Sequence, residues 1–157
     1  MKKLVLAIIM GAILILSGCG EAKSKDEKSK LYNDNGSIVK EYDSFNYFFR
    51  DSEGEDSNFK MSFKTFSGTD TIMKIDSDGK EELNLTYDIK VNKGKVKLVF
   101  INPEDKIEVI VEGKGKGNYK TTLESGKYRV KAVGAEAKGN LEIKANTNAK
   151  VVVKGEE

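Results

Sequence analysis

The segment Glu82-Leu83-Asn84-Leu85-Thr86-Tyr87-Asp88-Ile89-Lys90-Val91 alternates without a break. Leu83, Leu85, Tyr87, Ile89 and Val91 share one side, and Glu82, Asn84, Thr86, Asp88 and Lys90 share the other. Successive side chains of a strand point to opposite faces, so this period of two predicts a strand with one face buried and one in water. The same period recurs at Phe59, Met61 and Phe63; at Ile107, Val109 and Val111; at Tyr128, Val130 and Ala132; and at Leu141, Ile143 and Ala145. Val96 to Ile101 is apolar at nearly every position, as expected of a strand covered on both faces before Asn102-Pro103 ends it. Ser77-Asp78-Gly79-Lys80, Asn92-Lys93-Gly94-Lys95 and Glu124-Ser125-Gly126-Lys127 each place a glycine where a tight turn can need it, and read as turns between strands.

About eight or nine short strands therefore run from about Ser37 to Val153, with no long amphipathic helix among them. Half-buried strands in this number must close their apolar faces against one another, and two packed antiparallel sheets are the common solution. The expected fold class is all-β, an antiparallel β-sandwich over residues 37–154. Ile38 to Arg50 fits two patterns: Tyr42, Phe45 and Phe49 at helical spacing, or Phe45, Tyr47 and Phe49 at strand spacing. The strand reading is favoured.

The whole chain has 157 residues, with 27 basic against 25 acidic side chains, one Cys, and no His or Trp. That length suits one domain, and a charged fraction of 33% excludes a polytopic membrane protein. A single Cys forbids an internal disulfide and a Cys-based zinc site, while the absence of His removes the commonest metal ligand and general base. Basic and acidic residues are interleaved, which argues against a nucleic-acid partner.

The N-terminus predicts the compartment. Lys2 and Lys3 precede an apolar stretch from Leu4 to Leu16, followed by Ser17, Gly18 and Cys19. As a helix that stretch is about 20 Å long, shorter than the roughly 30 Å hydrocarbon layer, so it reads as an export signal rather than a permanent span. Leu16-Ser17-Gly18-Cys19 resembles the bacterial lipobox. The resemblance implies a diacylglyceryl thioether on Cys19, cleavage after Gly18, and a mature chain beginning at the lipidated Cys19, held on the outer, extracytoplasmic face of the cell membrane. A retained anchor helix and an ordinary cleaved signal are the competing readings. Removal of residues 1–18 takes away Lys2 and Lys3 and no acid, so the mature side chains balance at 25 basic and 25 acidic.

Residues 19–36 read as the lipidated Cys and a polar tether. Gly20 to Lys30, GEAKSKDEKSK, lacks aromatic and branched apolar residues and carries mixed charge, which favours solvated coil. Leu31 to Gly36 either continues this stalk or forms the first turn of the body.

Phe66-Ser67-Gly68, Leu85-Thr86-Tyr87, Lys93-Gly94-Lys95, the strand-closing Pro103, Gly126-Lys127-Tyr128 and Ala137-Lys138-Gly139-Asn140-Leu141 together resemble small, uncharacterised lipoproteins and secreted proteins of Gram-positive bacteria. The Gly126-Lys127-Tyr128 strand is also similar to the last strands of jelly-roll-like sandwich modules found beside secreted enzymes. The resemblance covers about half of the chain. It implies a jelly-roll-like fold and an envelope location, and it carries no catalytic residues.

Three groups of side chains are candidate sites. Asp51, Glu53, Glu55 and Asp56 supply hard oxygen ligands of the kind calcium takes, although their spacing departs from an EF-hand loop, and the competing reading is a solvated loop. Tyr42, Phe45, Tyr47, Phe48 and Phe49 could stack against a sugar or peptide, Tyr42, Phe45 and Tyr47 foremost, or else belong to the core. Gly113-Lys114-Gly115-Lys116-Gly117-Asn118 offers amides and cations to an anion, but no Lys-Ser/Thr pair follows and a hairpin loop is the simpler reading. Without His, and with Cys19 committed to lipid, catalysis would need a Ser-Lys or paired-carboxylate arrangement. The sequence points to a non-enzymatic, cofactor-free interaction or accessory module, bound to the membrane through Cys19 and meeting an envelope protein or glycan. The alternatives are a ligand-binding lipoprotein for envelope glycan, peptide or calcium, and a small surface hydrolase.

Overall fold

The computed structural model describes residues 27–155. The leader expected at residues 1–18 and the Leu16-Ser17-Gly18-Cys19 motif lie outside the described residues. Residues 27–30 are helical, Leu31–Asn33 forms a 3-10 turn and Asn35–Ile38 a single helical turn, α1. Eight strands follow: β1 (Ser44–Asn46), β2 (Phe49–Glu55), β3 (Asn58–Ser77), β4 (Glu81–Ile101), β5 (Ile107–Glu112), β6 (Gly115–Leu123), β7 (Gly126–Asn146) and β8 (Lys150–Val153). All the recorded pairings are antiparallel, so the all-β expectation holds.

Three of the strands are far longer than the short pieces predicted from sequence. β3, β4 and β7 run 20, 21 and 21 residues and lie side by side, with β7 in the middle. A straight strand of that length would span about 70 Å. Connectivity shows that these strands fold over instead. Ser77 pairs with Gly126 at one end of β7, while Asn84, near the start of β4, pairs with Asn146 at the other. Only residues 78–80 separate β3 from β4. That link reaches about 14 Å, so the two ends of β7 must face each other.

The result is one sheet folded into a sandwich. One layer contains β2, residues 58–64 of β3, 139–146 of β7, 81–91 of β4, and β6. The other contains β1 and β8, residues 66–77 of β3, 126–137 of β7, 95–101 of β4, and β5. Links 78–80, 124–125 and 147–149 cross between layers at the open end. At the closed end the three long strands bend through register shifts, and each carries residues with positive φ there: Thr65 and Gly68 on β3, Gly94 on β4, Glu136 on β7. Asn92-Lys93-Gly94-Lys95 is thus a bend inside one strand, where a turn between two strands was expected. A bulge of this kind and a turn draw on the same residue, a glycine free of the Cβ penalty at positive φ.

Burial follows the predicted alternation in most strands. Phe59, Met61, Phe63, Leu83, Leu85, Ile89, Tyr128, Val130, Ala132, Leu141, Ile143 and Ala145 are buried between the layers. β5 departs from it. A register shift sets Val111 opposite Leu98 but Val109 opposite Val99, leaving Ile110 as an extra residue. Ile110 and Val111 pack on the main core, Ile107 joins a second cluster, and Val109 is 52% exposed. A bulge shifts the face of every later side chain by one.

The second cluster explains the continuous apolar run in β4. Val96, Leu98 and Phe100 face the main core, whereas Val99 and Ile101, with Val133, face outward under Tyr32 and Ile38. The N-terminal segment is the cover predicted for the second face. The body therefore starts before Ser37, and Leu31 to Gly36 forms its first turns rather than the end of a tether: Tyr32 is buried, donates its hydroxyl to Glu112 at 2.8 Å, and carries the Lys97 ammonium over its ring at 4.7 Å. Lys28 donates to the Ser44 hydroxyl, and the Ser29 and Ser67 hydroxyls lie 3.2 Å apart, so the chain enters beside the closed end. Between Ile38 and Arg50 the favoured strand reading holds only for β1 and the start of β2, because Ile38 ends α1 and residues 39–43 and 47–48 are turn, bend or irregular.

Candidate functional site: a buried charge network

The densest polar chemistry among the described residues lies where the N-terminal segment crosses the edge formed by β3, β7 and β8. Asp43, just before β1, accepts the Thr71 amide at 2.8 Å and the Thr71 hydroxyl at 2.7 Å on one carboxylate oxygen. The same carboxyl faces Lys131 Nζ at 3.4 Å and Lys154 Nζ at 3.5 Å. Asp70 on β3 has a fully buried side chain that pairs with Lys154, accepts the Tyr47 hydroxyl at 2.8 Å, and lies 3.5 Å from Arg50 Nη2. Lys131 on β7 is wholly buried and also donates to the Lys40 carbonyl at 2.5 Å.

Each position follows from strand parity. Tyr128, Val130 and Ala132 point into the core, so Lys131 points out under the N-terminal segment. Asp70 stands opposite Ala132 and faces inward, where β2 brings Arg50 and the end of β8 brings Lys154. Three cations (Arg50, Lys131, Lys154) meet two carboxylates, an excess of one positive charge. Arg50 Nε and Nη2, both buried, have no hydrogen-bond partner, and the guanidinium lies over the Tyr47 ring at 5.5 Å.

The shifts in proton affinity have clear causes. Burial lowers the Lys131 pKa, with the nearby Asp43 carboxylate partly restoring it. Burial, then the Asp70 charge and hydrogen bond, push the Tyr47 phenol well above its ordinary value. Tyr32 and Tyr119 are raised in the same way, by burial and by donating to Glu112 and Glu108. An acid with a raised folded pKa contributes stability below its unfolded pKa, near 10, and loses it as pH rises. Lys131 works in the opposite sense, since its lowered pKa makes folding more favourable as pH climbs toward 10.5. In an alkaline titration, the phenolate absorbance of Tyr32, Tyr47 and Tyr119 is expected to appear only together with loss of the β-sheet circular dichroism signal. A phenolate signal that is complete while the sheet is intact would contradict these burials.

Chemically the network is a clamp. The Asp43 and Asp70 carboxyls are occupied by donors from Thr71, Tyr47 and Lys154, a poor setting for a general base, which must be free to take a proton from substrate.

The residues nominated from sequence are not brought together into one site. Asp51, Glu53 and Glu55 lie along strand β2, and Asp56 sits with Ser57 in a two-residue turn at φ 47° and 66°, the pattern of a type I′ hairpin. Glu53 lies 3.9 Å from Lys60 across that hairpin. Among the described residues no group of three or more acidic side chains is placed to hold a metal ion. The calcium candidate is therefore an exposed strand face and a turn. Tyr42, Phe45 and Tyr47 separate likewise. Tyr42 is 64% exposed, whereas Phe45 and Tyr47 pack on the core, Tyr47 stacking on Phe66 with centroids 4.5 Å apart. The Gly113 to Asn118 run is the link 113–114 followed by the lysine-bearing edge strand β6. Sequence reading missed Asp43, Asp70, Lys131 and Lys154 as a group. Only Lys131 carried a signal: a lysine inside the run Tyr128 to Gly134, at a position that strand parity turns away from the core.

The surface of the described residues also carries hollows, one of about 200 Å³ beside the network, lined by Asp43, Thr71 and Lys154. A larger one of about 720 Å³ at the open end is lined by Glu81, Asn84, Lys120, Thr122, Asn146 and Asn148. Another of about 540 Å³ is lined by Lys74, Asn102, Asp105, Tyr128, Arg129 and Lys150. Arg129 Nη2 is held by Asp105 at 2.6 Å, and its buried Nη1 has no hydrogen-bond partner. Compared with known proteins, the sequence matches no family model and no curated protein.

Proposed function

We infer that this chain is a lipid-anchored lipoprotein of the extracytoplasmic face of a bacterial cell membrane, whose jelly-roll-like β-sandwich acts as a non-enzymatic interaction or accessory module of the envelope. The observation that carries this reading is Leu16-Ser17-Gly18-Cys19 at the end of a short apolar stretch, eight positions before the first described residue of the body. In this reading the Cys19 thiolate takes the diacylglyceryl group. Two acyl chains, at about 0.8 kcal/mol per buried methylene, then hold the body at the surface.

Support for binding rather than catalysis comes from the clamp, where Asp43, Asp70, Lys131 and Lys154 fix the N-terminal segment to the sandwich. A ligand-binding lipoprotein for envelope glycan, peptide or calcium is the second reading, favoured by the hollow of about 540 Å³ beside Tyr128, where Lys74, Arg129 and Lys150 line the wall.

The anchor is tested by growing cells on a clickable fatty acid. The intact chain is expected to take the label and to begin at Cys19 by mass, and Cys19→Ala is expected to lose it. Label retained in Cys19→Ala overturns the assignment.

A further inference from the structure

Of the exposed large apolar side chains among the described residues, Tyr42 and Val109 stand singly, whereas Phe48 and Phe49 are adjacent. Phe48 is 84% exposed and Phe49 45%, at the start of β2, with the Phe48 amide bonded to the Lys64 carbonyl at 3.0 Å. The Lys64 ammonium lies over the Phe49 ring at 5.3 Å. Lys64 precedes the Thr65 bend, so this aromatic pair stands at the closed end of the sandwich. Exposed lysines gather at the same end: Lys93 and Lys95 flank the Gly94 bend, and Lys138 pairs with Lys93 across the sheet. The acids there are fewer. Glu27 and Glu136 are exposed, and the Glu112 carboxylate accepts the Tyr32 hydroxyl.

The N-terminal chain arrives at this end too. Ser29 touches Ser67, and Ser67 Oγ accepts the Glu136 amide at 2.9 Å within the bend. From Glu27 back to Cys19 is eight residues, about 28 Å at full extension. A body tethered so closely at one end presents that end to whatever surface holds the tether.

We propose that the closed end docks on an anionic lipid surface, with Phe48 and Phe49 entering the headgroup interface and Lys64, Lys93, Lys95 and Lys138 facing the lipid phosphates. Aromatic side chains favour that interface, and basic residues near an anionic leaflet add attraction that salt screens. The proposal rests on the lipid-anchor reading for its tether. It turns the open end and its hollow away from the membrane.

The test uses the full chain in vesicles of phosphatidylglycerol and phosphatidylcholine containing a nitroxide lipid, with an environment-sensitive dye on Phe48→Cys or, as control, on Lys120→Cys in β6. Both are made in the Cys19→Ala chain, held by its uncleaved apolar leader, and in the native Cys19 chain, whose lipid is read by mass. The dye at position 48 is expected to be quenched and blue-shifted, and the dye at position 120 to be unaffected. Each lysine is worth about fivefold in docking, so Lys93→Glu with Lys95→Glu is expected to lower the docked-to-free ratio about 25-fold or more, as are pure phosphatidylcholine vesicles. Equal signals at positions 48 and 120, or quenching indifferent to lipid charge and to the lysine reversals, would overturn the docking. A chain with no lipid on Cys19 that still shows quenching at position 48 would sink the anchor reading alone and leave the docking surface standing.

Discussion

Asp70→Ala is expected to cost about 3–5 kcal/mol of folding stability, whereas Lys131→Met is expected to cost no more than about 1–2 kcal/mol, although both residues are buried members of one network. The asymmetry follows from charge. Arg50, Lys131 and Lys154 face Asp43 and Asp70, so the cluster already holds one cation more than it can pair. Removing Asp70 leaves three cations around one carboxylate and strips Tyr47 of its acceptor and Lys154 of its closest partner. Removing Lys131 leaves two cations and two carboxylates, fills the space with an apolar chain of similar length, and relieves the burial that lowers the Lys131 pKa. The Lys40 carbonyl loses a donor, which accounts for the residual cost. Urea denaturation of the two variants beside the parent measures both numbers. Equal losses would show that the network behaves as independent pairs and not as a cluster with surplus charge.

Gly139→Ala is expected to cost about 3 kcal/mol or more, as large an effect from a single methyl group. A Cβ on Gly139 would lie 1.9 Å from the Lys90 carbonyl oxygen and 3.3 Å from Val91 Cα, both backbone atoms of the neighbouring β4. Backbone in the middle of a sheet cannot swing aside as a side chain end does, so β4 and β7 must part where the layers begin to bend. Gly79→Ala, in the link between β3 and β4, has open space around the new atom and is expected to be close to neutral. Thermal denaturation compares the two directly. A Gly139→Ala protein as stable as Gly79→Ala would mean that the strands at the closed end are looser than their pairing implies.

Strand identity was legible because it is a local property. Leu83 to Val91, Phe59 to Phe63 and Tyr128 to Ala132 announce their buried faces through alternation alone. Strand length was not, because Gly94 reads locally as a turn residue, and only neighbouring strands decide whether a glycine ends a strand or bends it. The bulge at Ile110 was invisible for the same reason: it exists only in the register against Leu98 and Val99. Acidic residues close in sequence, Asp51 to Asp56, invited a site that the β2–β3 hairpin spreads out, while the charges that do converge come from positions 43, 50, 70, 131 and 154.

By itself the sequence determined an all-β body with its buried faces and an apolar run in β4 that needed cover on both sides, since periodicity and composition act within a few residues. Tertiary structure alone decided that one sheet folds over through three bent strands, that Tyr32 and Ile38 supply the missing cover, and that the buried Asp70 and Lys131 share one network with the half-buried Asp43 and Lys154. Those outcomes depend on which distant segments pair, and pairing energy is realised only when the layers close.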